Sequence, residues 1–134
     1  MIDQLSQLGA AAWRPLLTAR GERTDFRTDR LERIAEEAAK QCGRAWTLEI
    51  GPPLPIAEAL ALPGALLADA AGRPASPLLG EAAALLVGPE GGFTPEEIAA
   101  ADAAGVPRLR LGAHILRIET AAAAGAAALL AGAR

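Results

Sequence analysis

Short apolar runs and longer amphipathic or helix-forming stretches follow one another along the chain, and together they predict alternating strands and helices. Strand-length stretches rich in apolar residues occupy residues 11–17, 47–50, 65–68, 83–87 and 109–111. Helical spacing or strong helix formers occupy residues 1–7, 28–43, 55–60, 94–105 and 119–130. This alternation predicts an α/β fold with a mainly parallel sheet whose faces are covered by helices.

Several boundaries of these elements are also predicted. Thr28 or Asp29 is expected to cap the helix that ends at Gly43. Thr94, with Pro95 and two acids behind it, predicts the start of another helix. The unbroken apolar run at residues 83–87 predicts a central strand, and residues 71–77 read as a loop.

Length and composition describe one compact domain over residues 1–134. Hydrophobic residues make up 51% of the chain and charged residues 22%, which favours a folded protein. Because no apolar run reaches the ~20 residues that span a bilayer, and no signal-peptide layout opens the chain, we expect a cytoplasmic protein without a membrane segment. Cys42 and His114 are the only residues of their types, so an internal disulfide and a metal site are not expected. We expect Cys42 to be a small buried side chain.

The charge pattern limits how the chain can meet nucleic acid. A net charge of -3 argues against binding through bulk electrostatics, and 3% aromatic residues with no Tyr cannot form the usual stacking platform. Basic residues are concentrated in the first third, where acids are interleaved with them. They form either a solvated helix face or an edge that touches phosphates.

Two segments carry the candidate chemistry. We call residues 86–93 (LVGPEGGF) the glycine-rich exit and residues 111–121 (LGAHILRIETA) the C-terminal exit. Each follows an apolar run and precedes a helix, and ligands of α/β proteins bind beyond the carboxyl ends of strands, so we expect one shared pocket. Gly91 and Gly92 let a ligand approach the main chain, and Pro89 makes the turn rigid. A tight turn with a solvated Glu90 is the structural alternative, and the chain lacks GxGxxG and Gly-Lys-Ser/Thr phosphate motifs.

The C-terminal exit places Arg117, Glu119 and Thr120 within four residues. Arg117 and Glu119 are able to position a polar substrate and assist a proton transfer. Alternatively, Glu119 and Thr120 only cap the last helix, and for Thr120 we favour the cap. His114 fits an exposed loop position better than a catalytic one.

Together these segments resemble the ribosomal RNA small-subunit methyltransferase E family, the uracil-N3 methyltransferases of the SPOUT superfamily. The similarity runs from Gln7-Leu8-Gly9 and Pro15-Leu16-Leu17-Thr18 through residues 36–44 to the two exits. It implies a SPOUT-type parallel sheet with helices on both faces and a C-terminal deep trefoil knot, an exception to the rule against threaded loops. It also implies S-adenosylmethionine as cofactor, small-subunit (16S) rRNA as substrate, methylation of uridine at N3, and a homodimer with active sites at its interface.

The resemblance also assigns roles to residues. Main-chain groups near residues 66–69, 86–92 and 111–117 would hold the adenine and ribose of the cofactor. The implied cofactor contacts are Leu66, Leu86, Gly88, Pro89, Glu90, Gly91, Gly92, Leu111, Gly112, His114, Ile115, Leu116 and Arg117. Uridine N3 must lose a proton before it attacks, and Arg117 is the first choice to stabilise the anion, with Glu90 or Glu119 as candidate base. RNA phosphates would be held by Arg20, Arg23 and Arg44.

The chain departs from the family pattern at three points. The family carries an N-terminal PUA-like RNA-binding domain, which we expect to be absent here. His114 stands where the family usually has Arg, and Ile118 stands where it usually has Thr. Two other functions stay open: a non-catalytic knotted dimer or cofactor-binding remnant, and an NAD-binding dehydrogenase-like domain, which the missing GxGxxG disfavours.

Overall fold

The computed structural model describes residues 1–22, 25–74 and 82–132. Within that part of the chain the helices are α1 (Ile2–Leu8), α2 (Thr28–Cys42), α3 (Ile56–Leu60), α4 (Pro95–Ala103) and α5 (Ile118–Gly132). The strands are β1 (Ala12–Trp13), β2 (Leu16–Leu17), β3 (Glu49–Ile50), β4 (Leu54–Pro55), β5 (Ala65–Pro74), β6 (Ala84–Leu86) and β7 (Arg108–Arg110).

All the strand pairs of the described residues are parallel. β1 pairs with β3 and β2 pairs with β4. Residues 12–17 therefore run parallel to residues 49–55, and the pairing is interrupted in the middle of both segments. Pro15 has no N–H to donate, and residues 51–53 (Gly-Pro-Pro) interrupt the opposite segment, which explains the break in both. The predicted strand at residues 11–17 is therefore two short strands, and β4 escaped prediction because Pro55 ends it.

β5 forms the middle of a three-stranded sheet in the order β6, β5, β7. Leu66 pairs with Leu85 of β6, and Ala68 pairs with Leu109 of β7. The prediction that residues 83–87 form a central strand was wrong in placement, because β6 lies at the edge of the described sheet. Its apolar run is unbroken because both of its faces are covered.

Helices cover both faces of β6. Leu86 packs in a core cluster with Leu60 of α3 and Ala101 of α4. The neighbouring Leu85 points the other way, as alternate strand residues do, and its side chain touches the position of Gly125 in α5 so closely that a Cβ there would overlap it. This confirms the predicted α/β architecture with helices on both faces of a parallel sheet.

A second core cluster joins α1, α2 and α5. Its buried members are Ile2, Leu5, Ala35, Leu48 and Ala122. α2 presents to it the apolar face predicted from the spacing, and Gly43 ends this helix in the left-handed conformation. Its N-cap, however, is Arg27 rather than Thr28 or Asp29, because the Thr28 hydroxyl donates to the Phe26 carbonyl at 3.4 Å.

Two further predictions differ from the structure. β5 continues to Pro74, so residues 71–74 are strand rather than loop, while residues 75–77 of that predicted loop lie outside the described residues. Cys42 is exposed instead of buried, because it occupies the last turn of α2 on its solvent side. The predicted helices at residues 1–7, 55–60, 94–105 and 119–130 are confirmed to within one or two residues.

Candidate active site at the strand exits

The two exits leave the parallel sheet at the same end, where the carboxyl ends of its strands lie. β6 leads into the glycine-rich exit and β7 into the C-terminal exit, with β5 between them. Parallel strands place their carboxyl ends at one edge, so the shared location predicted for the two motifs is what the topology requires.

β5 bulges at this edge before it ends. Leu109 is opposite both Ala68 and Arg73, so the intervening residues of β5 are looped out of register. Asp69 holds the bulge: its Oδ1 accepts from Ala71 N at 3.2 Å and its Oδ2 accepts from Arg108 Nη1 at 3.0 Å. The expected ligand loop at residues 66–69 is therefore strand and bulge, and this ion pair was missed because its partners lie on different elements.

The glycine-rich exit is shaped by two glycines with different roles. Gly92 has a φ of 74° and donates its N–H to Pro89 O at 2.8 Å, which closes a turn. At Gly88 there is no room for a side chain, because a Cβ would lie 2.9 Å from Cε2 of Phe93. The main chain at Gly88 is consequently held against the Phe93 ring.

A tight turn at residues 18–21 packs onto the glycine-rich exit. Gly21 N donates to Thr18 O at 3.2 Å. From this turn Ala19 N donates to Glu97 Oε1 at 2.7 Å, and Arg20 Nη1 donates to Gly91 O at 2.8 Å. Segments more than seventy residues apart in the chain are thus bonded together at the glycine-rich exit.

Glu97 joins this turn to the start of α4. Its Oε2 accepts from Thr94 N at 2.9 Å, while Thr94 Oγ1 accepts from Glu97 N at 3.1 Å, which is a complete capping box. The Glu97 side chain is buried, and its carboxylate accepts two main-chain N–H groups. The sequence predicted the helix cap at Thr94, but no sequence pattern indicated the hydrogen bond between Ala19 and Glu97.

A depression lies next to the C-terminal exit. It has a volume of about 480 Å³ and is lined by Pro74, Arg110, Leu111, Gly112 and Ala113. The end of β5 and the start of the C-terminal exit thus face one space. Most of its lining is small or main chain, which suits a ligand held by backbone groups.

The predicted catalytic side chains are all solvent-exposed. Arg117, Glu90 and Glu119 lie at the surface of the two exits. Within the described residues no hydrogen bond or ion pair joins any two of them. Thr120 is the third residue of α5 rather than its cap, because the helix begins at Ile118.

The predicted cofactor residues differ in exposure and fall into three groups. The side chains of Leu66 and Leu86 are buried, so only their main chains remain to face a ligand. Gly112, His114 and Ile115 are exposed, and Ile115 keeps 89% of its surface accessible. Between these extremes lie Gly88, Pro89, Gly92, Leu111 and Leu116, which are half-buried.

The predicted RNA-binding arginines have different surroundings. Arg20 bonds the glycine-rich exit as described above. Arg44 donates to Ser6 O at 2.8 Å and Ala10 O at 3.0 Å, so its guanidinium satisfies carbonyls near the end of α1. Arg23 lies outside the described residues.

The described part of the chain has neither a metal-binding cluster nor a membrane-spanning helix. It contains no group of three or more His, Cys, Asp or Glu placed to hold a metal ion. None of its helices has the length and hydropathy needed to cross a membrane.

Comparison with known proteins places this fold and site in context. Residues 1–130 match the family model described as RNA methyltransferase domain. Ribosomal RNA small subunit methyltransferase E of Synechocystis sp. is 36% identical over 135 residues, which cover 90% of this chain and 45% of that protein.

Solved structures give the same picture. A Legionella pneumophila protein assigned as a methyltransferase, solved in complex with its bound cofactor SAM, superposes with a TM-score of 0.88 at 29% identity, covering 98% of this chain and 60% of that one. Ribosomal RNA small subunit methyltransferase E from Neisseria gonorrhoeae, bound to S-adenosyl methionine, gives 0.86 at 30% identity, covering 97% and 58%. The chain therefore spans about half the length of the curated relative and about three fifths of these structures.

Proposed function

Because this chain belongs to the RNA methyltransferase domain family, as its motifs predict, we propose that it transfers a methyl group from S-adenosylmethionine to N3 of uridine in small-subunit (16S) rRNA. The observation that carries the proposal is that both exits leave the parallel sheet at the carboxyl ends of its strands, with a depression of about 480 Å³ at the start of the C-terminal exit. Relatives named for small-subunit rRNA methylation support the substrate class. A ribosomal substrate also implies a cytoplasmic location.

The residues at this edge fit S-adenosylmethionine. The depression falls in the volume range of small-molecule sites, and Leu111, Gly112 and Ala113 offer main-chain groups with little side-chain bulk. An uncharged adenine needs no cationic clamp, and the exits carry no phosphate motif. When bound, the cofactor supplies an electrophilic methyl group. Both SAM-bound relatives cover nearly all of this chain, which supports the same assignment.

Arg117 is proposed to orient the uracil and stabilise the negative charge that develops when N3 loses its proton. It is exposed just before α5, and its planar guanidinium matches two acceptors at once. Glu90 lies in the glycine-rich exit and Glu119 in the C-terminal exit, and one of them would take the N3 proton. Their exposure leaves both free to approach a docked base.

A homodimer and a C-terminal trefoil knot belong to the same proposal. The most exposed large apolar residue of the C-terminal exit, Ile115, would be covered by a second copy, and the Ala-rich α5 allows close helix contacts. Of the predicted RNA contacts, Arg23 keeps that role in the proposal, whereas Arg20 and Arg44 already donate to main-chain carbonyls. Light scattering at micromolar concentration tests the dimer, which a monodisperse monomer would exclude.

The test of the reaction uses methyl-labelled S-adenosylmethionine with unmodified 16S rRNA, both free and assembled into small subunits. Label in the rRNA, recovered as 3-methyluridine after digestion and mass spectrometry, is the expected result. A different methylated nucleoside would reject N3 as the target. No label in either substrate would reject catalysis by this chain and favour the non-catalytic alternative.

A matched pair of variants assigns the chemistry within that assay. Arg117→Ala is expected to abolish labelling while cofactor affinity stays within a few-fold, since its role is toward the uracil. Arg33→Ala, an exposed arginine of α2, is the control. Unchanged labelling in Arg117→Ala would remove Arg117 from the mechanism.

A further inference from the structure

The turn at residues 18–21 makes contacts that no sequence motif accounts for. Its central residues, Ala19 and Arg20, both direct donors at the segment between Gly91 and Glu97. A Cβ at Gly21 would lie 3.1 Å from Thr18 Oγ1 and 3.4 Å from Thr18 O, so a side chain there would crowd the turn. The turn is therefore built to present these two donors together.

Arg20 contacts the glycine-rich exit in two ways. Its Nη1 donates to Gly91 O at 2.8 Å and reaches Phe93 O at 3.4 Å, so one guanidinium spans the last turn of the exit. Its aliphatic stem lies against Gly91, where Cδ would be 3.3 Å from an added Cβ. The side chain thus both bonds and packs against the exit.

Glu97 fixes the other side of the same contact. Its carboxylate accepts from Ala19 N at 2.7 Å and from Thr94 N at 2.9 Å, next to the carbonyl of Phe93 that Arg20 reaches. Phe93 in turn touches Gly88 at the start of the exit. The exit is consequently held at Gly88, at Gly91 and at Thr94.

We propose that Arg20 is a positioning residue that holds residues 88–93 in the conformation that receives the cofactor. The expected effect on cofactor affinity rests on the proposed function, whereas the contacts of Arg20 with the exit do not. A loop fixed before binding loses less conformational freedom when the ligand arrives, so affinity rises without a direct contact. Arg20 then acts on the methyl donor side of the site, in contrast to the phosphate-binding role that the family resemblance implies.

The first experiment measures the loop without any ligand. Hydrogen exchange in the peptide that covers residues 88–93 is compared between wild type, Arg20→Ala, Arg20→Lys and the control Arg33→Ala. Loss of the guanidinium is expected to speed exchange about ten-fold in Arg20→Ala, with partial protection in Arg20→Lys, since Lys keeps one donor but not the fork. Equal exchange in wild type and Arg20→Ala would overturn the proposal.

The second experiment measures the consequence by calorimetric titration with S-adenosylhomocysteine. The Kd is expected to rise about ten-fold in Arg20→Ala and less in Arg20→Lys, with Arg33→Ala at the wild-type value. A Kd in Arg20→Ala within two-fold of wild type would overturn the proposed effect on affinity, as would a loss that Lys does not reduce. If wild type itself fails to bind, the proposed function is rejected, and hydrogen exchange still decides whether Arg20 positions the loop.

Discussion

Thr18 holds a buried hydroxyl in the turn that contacts the glycine-rich exit. Its Oγ1 has no hydrogen-bond partner within residues 1–22, 25–74 and 82–132. A buried polar atom left without a partner costs about 1–3 kcal/mol. We therefore expect Thr18→Val, which keeps the shape, to raise the free energy of unfolding by about 1 kcal/mol in urea denaturation. The exposed Thr47→Val serves as control, and a destabilised Thr18→Val would contradict the account.

Gly72 tests the close approach of β5 and β7. A Cβ there would lie 2.7 Å from the carbonyl carbon of Arg108 and 2.8 Å from Leu109 N, and main-chain atoms cannot move aside as a side chain would. Gly72→Ala is therefore expected to lower the free energy of unfolding by about 1–3 kcal/mol in thermal denaturation.

Gly112→Ala is the matched control for stability, because its Cβ would meet only Leu116 Cδ2 at 3.8 Å. It is expected to leave the melting temperature unchanged or slightly raised. Equal melting temperatures for both variants would show that β5 and β7 are less tightly packed than described.

At the residue scale, the positive charge of an arginine did not reveal its hydrogen-bond partners. Arg20 and Arg44 have the positive charge expected of phosphate contacts, yet both donate to main-chain carbonyls. A carbonyl acceptor is present at every residue and carries no identity in the sequence, so these pairings were not predictable. Gly91 and Gly92, in contrast, were predicted as positions where a ligand approaches the main chain; Gly92 has a φ of 74°, and an added Cβ at Gly91 would lie 3.3 Å from Arg20 Cδ.

At the scale of elements, α4 depends on Glu97 for two backbone bonds. Replacing one carboxylate oxygen with an amide leaves either Ala19 N or Thr94 N without an acceptor. Glu97→Gln is therefore expected to lower the free energy of unfolding by about 1–3 kcal/mol, measured by urea denaturation.

The neighbouring Glu96→Gln is the control, since Glu96 lies exposed in the same first turn. It is expected to change stability by less than about 0.5 kcal/mol. Similar losses in both variants would mean that the effect comes from helix charge rather than from the bonds of Glu97.

Helices were predicted more closely than strands, for a physical reason. Local sequence signals predict α2 and α4. These signals are an apolar face, a capping box and a glycine at the end of the helix. Strand limits depend on partners far along the chain: β5 extends to Pro74 because β7 pairs beyond its bulge, and β6 lies at the edge although its pattern indicates a centre. Local periodicity does not reveal which strands pair or how far they pair.

At the scale of the whole molecule, the two motifs predicted where their own segments meet but not how their side chains are oriented. Their positions after strands were enough to predict a common edge, because parallel topology fixes where strand exits meet. The orientation of Arg117, Glu90 and Glu119 toward a substrate was not predictable, since exposed side chains on loops take their positions from the substrate they meet.

The central claim, that this edge of the sheet binds the methyl cofactor, is tested most directly by calorimetric titration of the chain. S-adenosylmethionine and its demethylated product are titrated separately, with NAD as the control ligand. We predict micromolar binding of the cofactor or its product and no binding of NAD, because the exits offer main-chain contacts for adenosine but no phosphate motif. Binding of neither methyl ligand would contradict the account and favour a non-catalytic role.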